Sequence, residues 1–195
     1  MRKAAVLVAL ALSGCATAPA KHEGEASSLS SPALAQLADW RASGRMAVRT
    51  ANGGFSANFD WQERPGHGEI SVSGPFGAGA THISRSDDWI RIENGHGPPV
   101  QVAAPFTDLE PAVSAQLGAP LPLDTLRFWI LGVPAPGLPS DAGGAGAFTQ
   151  SGWTVHPEQP VSVDGAPAAL PHRITLERES TRIKVVVDTW TVGGA

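Results

Sequence analysis

The sequence predicts a mainly β protein, a single curved antiparallel sheet that forms an incomplete barrel, with short α-helices closing its open mouth. Three observations carry this. Apolar residues recur with a period of two in one segment after another. Clusters of glycine, proline and asparagine punctuate those segments as turns. Helical spacing is confined to three short stretches, too little helix surface to cover a flat sheet, so the sheet must pack on another sheet or curl on itself.

The chain opens with Arg2 and Lys3, a brief apolar run from Ala4 to Leu12, and then Ser13-Gly14-Cys15. A basic start, a short apolar run and small residues at a cut site describe a bacterial export signal over residues 1–14. About nine apolar residues are too few to cross a bilayer. The cluster ends in Cys15 rather than in Ala-x-Ala and looks like a lipobox. In such signals the thiol is alkylated with diacylglycerol, cleavage leaves the cysteine first, and its amine is acylated. The alternative is an ordinary secretory signal with an incidental cysteine. Cys15 is the single cysteine of the chain, so an internal disulfide is not open to it.

Removal of residues 1–14 leaves 181 residues, enough for one domain with a full core, and the loss of Arg2 and Lys3 takes the formal net charge from −4 to −6. A mildly acidic protein is a poor match for nucleic acid or an anionic membrane surface. No later stretch approaches a transmembrane span. Residues 15–31 comprise Cys15 and an Ala/Ser/Glu-rich flexible tether, which reaches roughly 20–25 Å from its anchor. The folded domain is expected over residues 32–195.

Ser31-Pro32 reads as an N-cap with proline at the first helical position, opening a short helix with Leu34, Leu37 and Ala38 on one side. Trp40 to Thr50 then alternates, with Trp40, Ala42, Met46 and Val48 on one face and Arg41, Ser43, Arg45 and Arg49 on the other. Phe55, Ala57, Phe59 and Trp61 alternate with polar residues, as do Ile70 and Val72. Half-buried antiparallel strands carry this pattern. Asn52-Gly53-Gly54 and the run from Arg64 to Gly68 supply the turns between them. Shorter strands are expected at Thr81–Ser84, Trp89–Glu93 and Pro99–Ala103.

A second helix is expected where Thr107 to Glu110 has capping-box spacing and Leu109, Val113 and Leu117 form a stripe ending at Gly118. The third runs from Leu123 to Leu131 and stops at Gly132 and Pro134. Leu126, Trp129 and Ile130 share one face, while Phe128 and Leu131 put apolar bulk on another, so this helix must be covered on more than one side. Strands resume at Trp153 and Val155, at Ile174 and Leu176, and at Ile183, Val185 and Val187.

Leu121-Pro122-Leu123, Leu126-Arg127 and Trp129-Ile130-Leu131-Gly132-Val133-Pro134 resemble the most distinctive stretch of the LolB family of outer-membrane lipoprotein receptors. Gly44 to Val48, Phe59-x-Trp61, Gly74-Pro75-Phe76-Gly77, Gly152-Trp153-x-Val155 and Arg182 to Trp190 add to the likeness, in order, from about residue 34 to 190. The resemblance implies a half-barrel with a helical lid over an apolar cavity. It also implies a monomer, lipid-anchored at the outer membrane and facing the periplasm, that accepts lipoproteins from the soluble carrier LolA and inserts them into that membrane. Ala16 after Cys15, rather than Asp, fits the outer-membrane sorting rule of enteric relatives.

Exposed acyl chains cost about 0.8 kcal/mol per CH₂, roughly ten kcal/mol or more for each long chain, so such a receptor needs an apolar cavity. Phe59, Trp61, Ile70, Val72 and Trp129 either line that cavity or fill a dry core, and periodicity alone favours the dry core. The resemblance reverses this for Trp61, Trp129 and Trp153, and Leu126 and Ile130 on the lid helix complete the expected set. Pro75, Phe76 and Gly77 have a turn signature, in which a phenylalanine usually tucks into the core. The resemblance instead makes Phe76 the exposed apolar tip of a membrane-insertion loop, where the family has leucine.

Catalytic, cofactor and metal motifs are not found: no Cys-x-x-Cys, His-Glu-x-x-His, Gly-x-Ser-x-Gly, Walker A or Gly-x-Gly-x-x-Gly. An outer-membrane lipoprotein with a filled core and a purely structural or assembly role stands as the alternative. A lipid esterase with a dispersed triad stands behind it.

Overall fold

The computed structural model describes residues 31–74, 79–106 and 109–193. Strands β1 (Trp40–Thr50), β2 (Gly53–Arg64), β3 (His67–Ser73), β4 (Thr81–Ser86), β5 (Trp89–Glu93) and β6 (Val100–Ala103) follow one another as a meander. Helices α1 (Leu109–Leu117) and α2 (Leu123–Trp129) come next. A second meander follows, of β7 (Ser140–Ala142), β8 (Phe148–Gln150), β9 (Trp153–Val161), β10 (Leu170–Arg178) and β11 (Thr181–Val192). β11 pairs antiparallel with β1, which joins the two meanders into one sheet of 11 strands ordered β6-β5-β4-β3-β2-β1-β11-β10-β9-β8-β7. A twisted open sheet of this width does not stay flat, so it curls.

The free edges are β6 and β7, and the chain passes from one to the other through α1 and α2. Side chains alternate between faces along β2, β3 and β4, and the buried set (Phe59, Trp61, Ile70, Val72 and Ile83 among them) faces the concave side. Leu121, Leu123, Leu126 and Ile130, from the connection between the edges, pack against that side. The helices therefore cover the mouth of the half-barrel.

Tight turns set the register. Pro65-Gly66 joins β2 to β3, with Gly66 at φ +72°. Ser151-Gly152 joins β8 to β9 with both residues left-handed, the geometry of the hairpin turn that matches strand twist. The β1–β11 register shifts between Ser43 and Gly44, leaving Asp188 as the extra residue of a bulge. Asp188 accepts two hydrogen bonds from Arg45 on the convex face, and that contact holds its carboxyl below the usual range.

The structure differs from the sequence expectation in three places. The segment after Ser31 is a 3-10 turn, Pro32–Gln36, rather than an α-helix. Helix α2 ends at Trp129, because the chain tightens there: Leu131 donates to the Phe128 carbonyl and Gly132 to that of Trp129, and Gly132 turns left-handed at φ +80°. Strands β7 and β8 had no periodic signal, being three residues each. The capping-box residues Thr107 and Asp108 lie outside the described residues.

Gly44 sits at the bulge with no room for a side chain, since a Cβ there would lie 2.0 Å from the Val186 carbonyl oxygen. Gly44→Ala is expected to destabilise the domain by roughly 1–3 kcal/mol through forced backbone movement. A urea midpoint unchanged from the parent would refute the steric account.

Candidate functional site

Under the lid lies a small cavity of about 40 Å³ whose accessible lining is wholly apolar. Its floor is Met46 (β1), Phe59 and Trp61 (β2), Ile70 and Val72 (β3), Ile83 (β4), Ile174 and Leu176 (β10) and Val185 (β11). Its roof is Leu121, Leu123, Leu126 and Ile130. Six of the eight residues expected to line a cavity are thus brought together: Phe59, Trp61, Ile70, Val72, Leu126 and Ile130. Strand periodicity placed the first four and the apolar face of α2 the other two. Met46, Ile83, Ile174, Leu176 and Val185 obey the same alternation and belong with them. An apolar cavity of about 150 Å³ admits one benzene, so a void this small holds no acyl chain as it stands. The concave face is filled chiefly by the lid's own leucines and isoleucine.

Trp129 and Trp153 do not line this cavity. Both are buried, with ring centroids 6.3 Å apart. The Trp129 indole donates to Oε1 of Gln150 at 2.8 Å, and the Ala135 amide donates to the same oxygen at 2.8 Å. Gln150, which is 2% exposed, returns hydrogen bonds from Nε2 to the carbonyls of Ala135 and Leu138. Every polar position of this buried amide is used, so it fastens the end of the lid to β8. The insertion-loop residues Pro75, Phe76 and Gly77 lie outside the described residues, as does Cys15.

Two ion pairs flank the lid. Glu63 and Arg85 project from β2 and β4 into the concave side, 1% and 9% exposed, and pair at 2.6 Å. Glu63 also accepts from the Trp61 indole at 2.9 Å. Gly68, opposite Glu63, has no space for a Cβ, which would meet the Glu63 carboxylate at 2.5 Å. Arg127 on α2 lies near this pair and stacks on Phe128 at 4.1 Å. Burial, and then the charge of Arg85, lower its pKa. At the other ion pair Glu110 of α1 accepts hydrogen bonds from Arg178 of β10, which hold the Glu110 carboxyl below its ordinary value. Arg41 and Arg45, expected on the outer face, lie there and pair with Asp60 and Asp188. The alternation gave no warning that Glu63 and Arg85 would be buried, because a charge on an inward position reads as a strand end.

The chain matches the family model described as "Outer membrane lipoprotein LolB" over residues 38–190. It is 35% identical to the outer-membrane lipoprotein LolB of Halorhodospira halophila, over 96% of this chain and 93% of that protein. It is 32% identical to that of Chromobacterium violaceum, over 94% of each. Among solved structures, a LolA superfamily protein from Nitrosomonas europaea aligns over 82% of this chain and 88% of its own, at 6% identity and a TM-score of 0.49.

Breaking the Glu63–Arg85 pair from one side leaves a charge buried alone, which costs about 3–5 kcal/mol. Glu63→Leu is expected to lose that much stability, and Glu63→Leu with Arg85→Met to regain part of it, the Trp61 indole being left without its acceptor, as read by a double-mutant cycle in urea. A single variant within about 1 kcal/mol of the parent would show the pair to be hydrated. With 153 consecutive positions matched and two relatives above 30% identity across nearly their whole lengths, the chain belongs to the outer-membrane lipoprotein LolB family.

Proposed function

We propose that this chain is a lipid-anchored receptor that accepts lipoproteins from a soluble, LolA-like periplasmic carrier and inserts them into the outer membrane. The observation that carries the reading is a wholly apolar cavity covered by a helical lid, in a chain of the LolB family. The acyl chains of the cargo lodge between the concave floor, with Phe59, Trp61, Ile70 and Val72, and the roof residues Leu126 and Ile130. Trp129 and Trp153 do not line the cavity in the closed structure. The cavity has to grow to take the acyl chains, so α2 is the element that moves. Cys15 carries the acyl anchor, and residues 16–31 tether the domain to the membrane. Phe76 touches lipid first during delivery. This work needs no catalytic group, cofactor or metal, and no nucleic acid.

One observation favours a second reading. The cavity is small enough that a filled core, and with it a structural or assembly role, accounts for the packing equally well. Leu126→Ala separates the two. It removes roof packing at a cost of about 2–5 kcal/mol in either case. In a receptor it also raises the affinity for an environment-sensitive fatty-acid probe, because the closed state is the one weakened. The parent protein is expected to bind the probe, release it to lipoprotein, and draw lipoprotein from the loaded carrier. Destabilisation without probe binding in either protein would leave the structural role.

Delivery is expected to depend on Phe76 separately from reception. Burying one phenylalanine in an apolar phase is worth roughly 1.5–3 kcal/mol, enough to bias docking onto lipid without locking the protein there. Phe76→Glu should take lipoprotein from the carrier normally and release it poorly into liposomes, while Phe76→Leu works nearly as well as the parent. Unfolding of Phe76→Glu would place the side chain in the core.

A further inference from the structure

A second pocket, of about 200 Å³, adjoins the apolar cavity and shares Leu121 with it as a common wall. Its chemistry is different. Glu110, Asp124, Thr125, Ser151 and Arg178 contribute to its lining, together with Trp153. Trp153 is 1% exposed, and its Nε1–H is buried without an acceptor among the described residues. Three other indoles have acceptors: Trp61 donates to Glu63, Trp129 to Gln150, and Trp190 to the Pro171 carbonyl. A buried donor with no acceptor costs about 1–3 kcal/mol, which a phenylalanine at the same position would avoid. Trp153 is also held firmly, between Trp129 at 6.3 Å and the Arg178 guanidinium at 4.5 Å from its ring.

We infer that this pocket is the subsite for the polar linkage of an acylated ligand, with the Trp153 indole N–H, covered in the closed structure, donating to an ester or amide carbonyl at the head of the acyl chains once the lid opens. The inference rests on the receptor reading and adds a location to it. Chains that enter the apolar cavity past Leu121 leave their carbonyls at the boundary, where the polar pocket begins. The charge balance selects the kind of acceptor. Glu110 and Arg178 neutralise each other, and Asp124 adds one negative charge. A carboxylate or phosphate is therefore disfavoured and a neutral carbonyl is not. The diacylglyceryl thioether and N-acyl amide of a mature lipoprotein present three such carbonyls.

The test uses the full-length acylated protein in nanodiscs, with empty discs subtracted, and two short-chain probes. Dioctanoylglycerol carries ester carbonyls, and dioctylglycerol ether has the same chains without them. The parent is expected to bind the ester roughly five- to tenfold more tightly, the worth of about one hydrogen bond, and Trp153→Phe to bring that ratio close to one. In the parent, the Trp153 indole proton resonance should move downfield with the ester and stay with the ether. This keeps the test decisive if the variant fails to fold. A ratio near one in the parent, a ratio preserved in Trp153→Phe, or an unmoved indole resonance would each overturn the subsite. A response to octanoate as large as that to the ester would overturn the neutral carbonyl as its ligand. Failure of both probes to bind the parent would instead overturn the receptor reading.

Discussion

The structure depends on one topological constraint: the two edges of the sheet are joined by a single stretch of chain. Pairing of β11 with β1 places the two meanders back to back, which leaves β6 and β7 at opposite ends of the sheet. The link between them has to cross the open side of a curled sheet whose concave face is apolar. It is made of helices because, away from the ladder, a helix satisfies its own backbone. It is apolar on several sides because it has the sheet below it and loops beside it. Fold and site therefore share a cause. The cavity exists because the crossing segment covers the concave face without quite filling it.

Polar groups decide where the crossing is fixed and where it is loose. At its far end Gln150 collects the Trp129 indole and the backbone of Ala135 and Leu138. At its near end the attachment is an ion pair, Glu110 with Arg178, partly open to water. A buried, fully used amide is costly to break, whereas a solvent-accessible ion pair exchanges readily. Under the receptor reading, motion of α2 pivots about the Gln150 end and opens at the Glu110 end. The polar pocket beside Trp153 lies at that opening end.

Much of this was legible in the sequence, for a physical reason. Strands with one wet face must alternate, so Trp40–Thr50 and Trp89–Glu93 could be read with their observed bounds, and the cavity floor followed from which side of each strand was apolar. α2 was recognisable as a covered helix from its apolar surround. Other features depend on contacts between distant positions and leave no local period. β7 and β8 are too short to alternate. Gln150 looks like any polar residue beside a turn until Trp129 is brought against it. Burial of Glu63 requires Arg85, 22 residues away, to arrive on the same face. The smallness of the cavity is a matter of how side chains interdigitate, which periodicity does not report.

The closed cavity has a consequence for affinity. Leu121, Leu123, Leu126 and Ile130 occupy the surface that an acyl chain would take, and they belong to the same chain. They act as a tethered competitor present at a fixed, high effective concentration. Any apolar ligand binds with an affinity reduced by the fraction of time the site stands open. Its hold is thus set by a small difference between two burials rather than by the whole apolar area it covers. Without the lid, occupancy would approach a one-way partition into the protein. Under the receptor reading, a bilayer then only has to exceed that difference, and ligand would pass down the gradient with no nucleotide or proton to drive it.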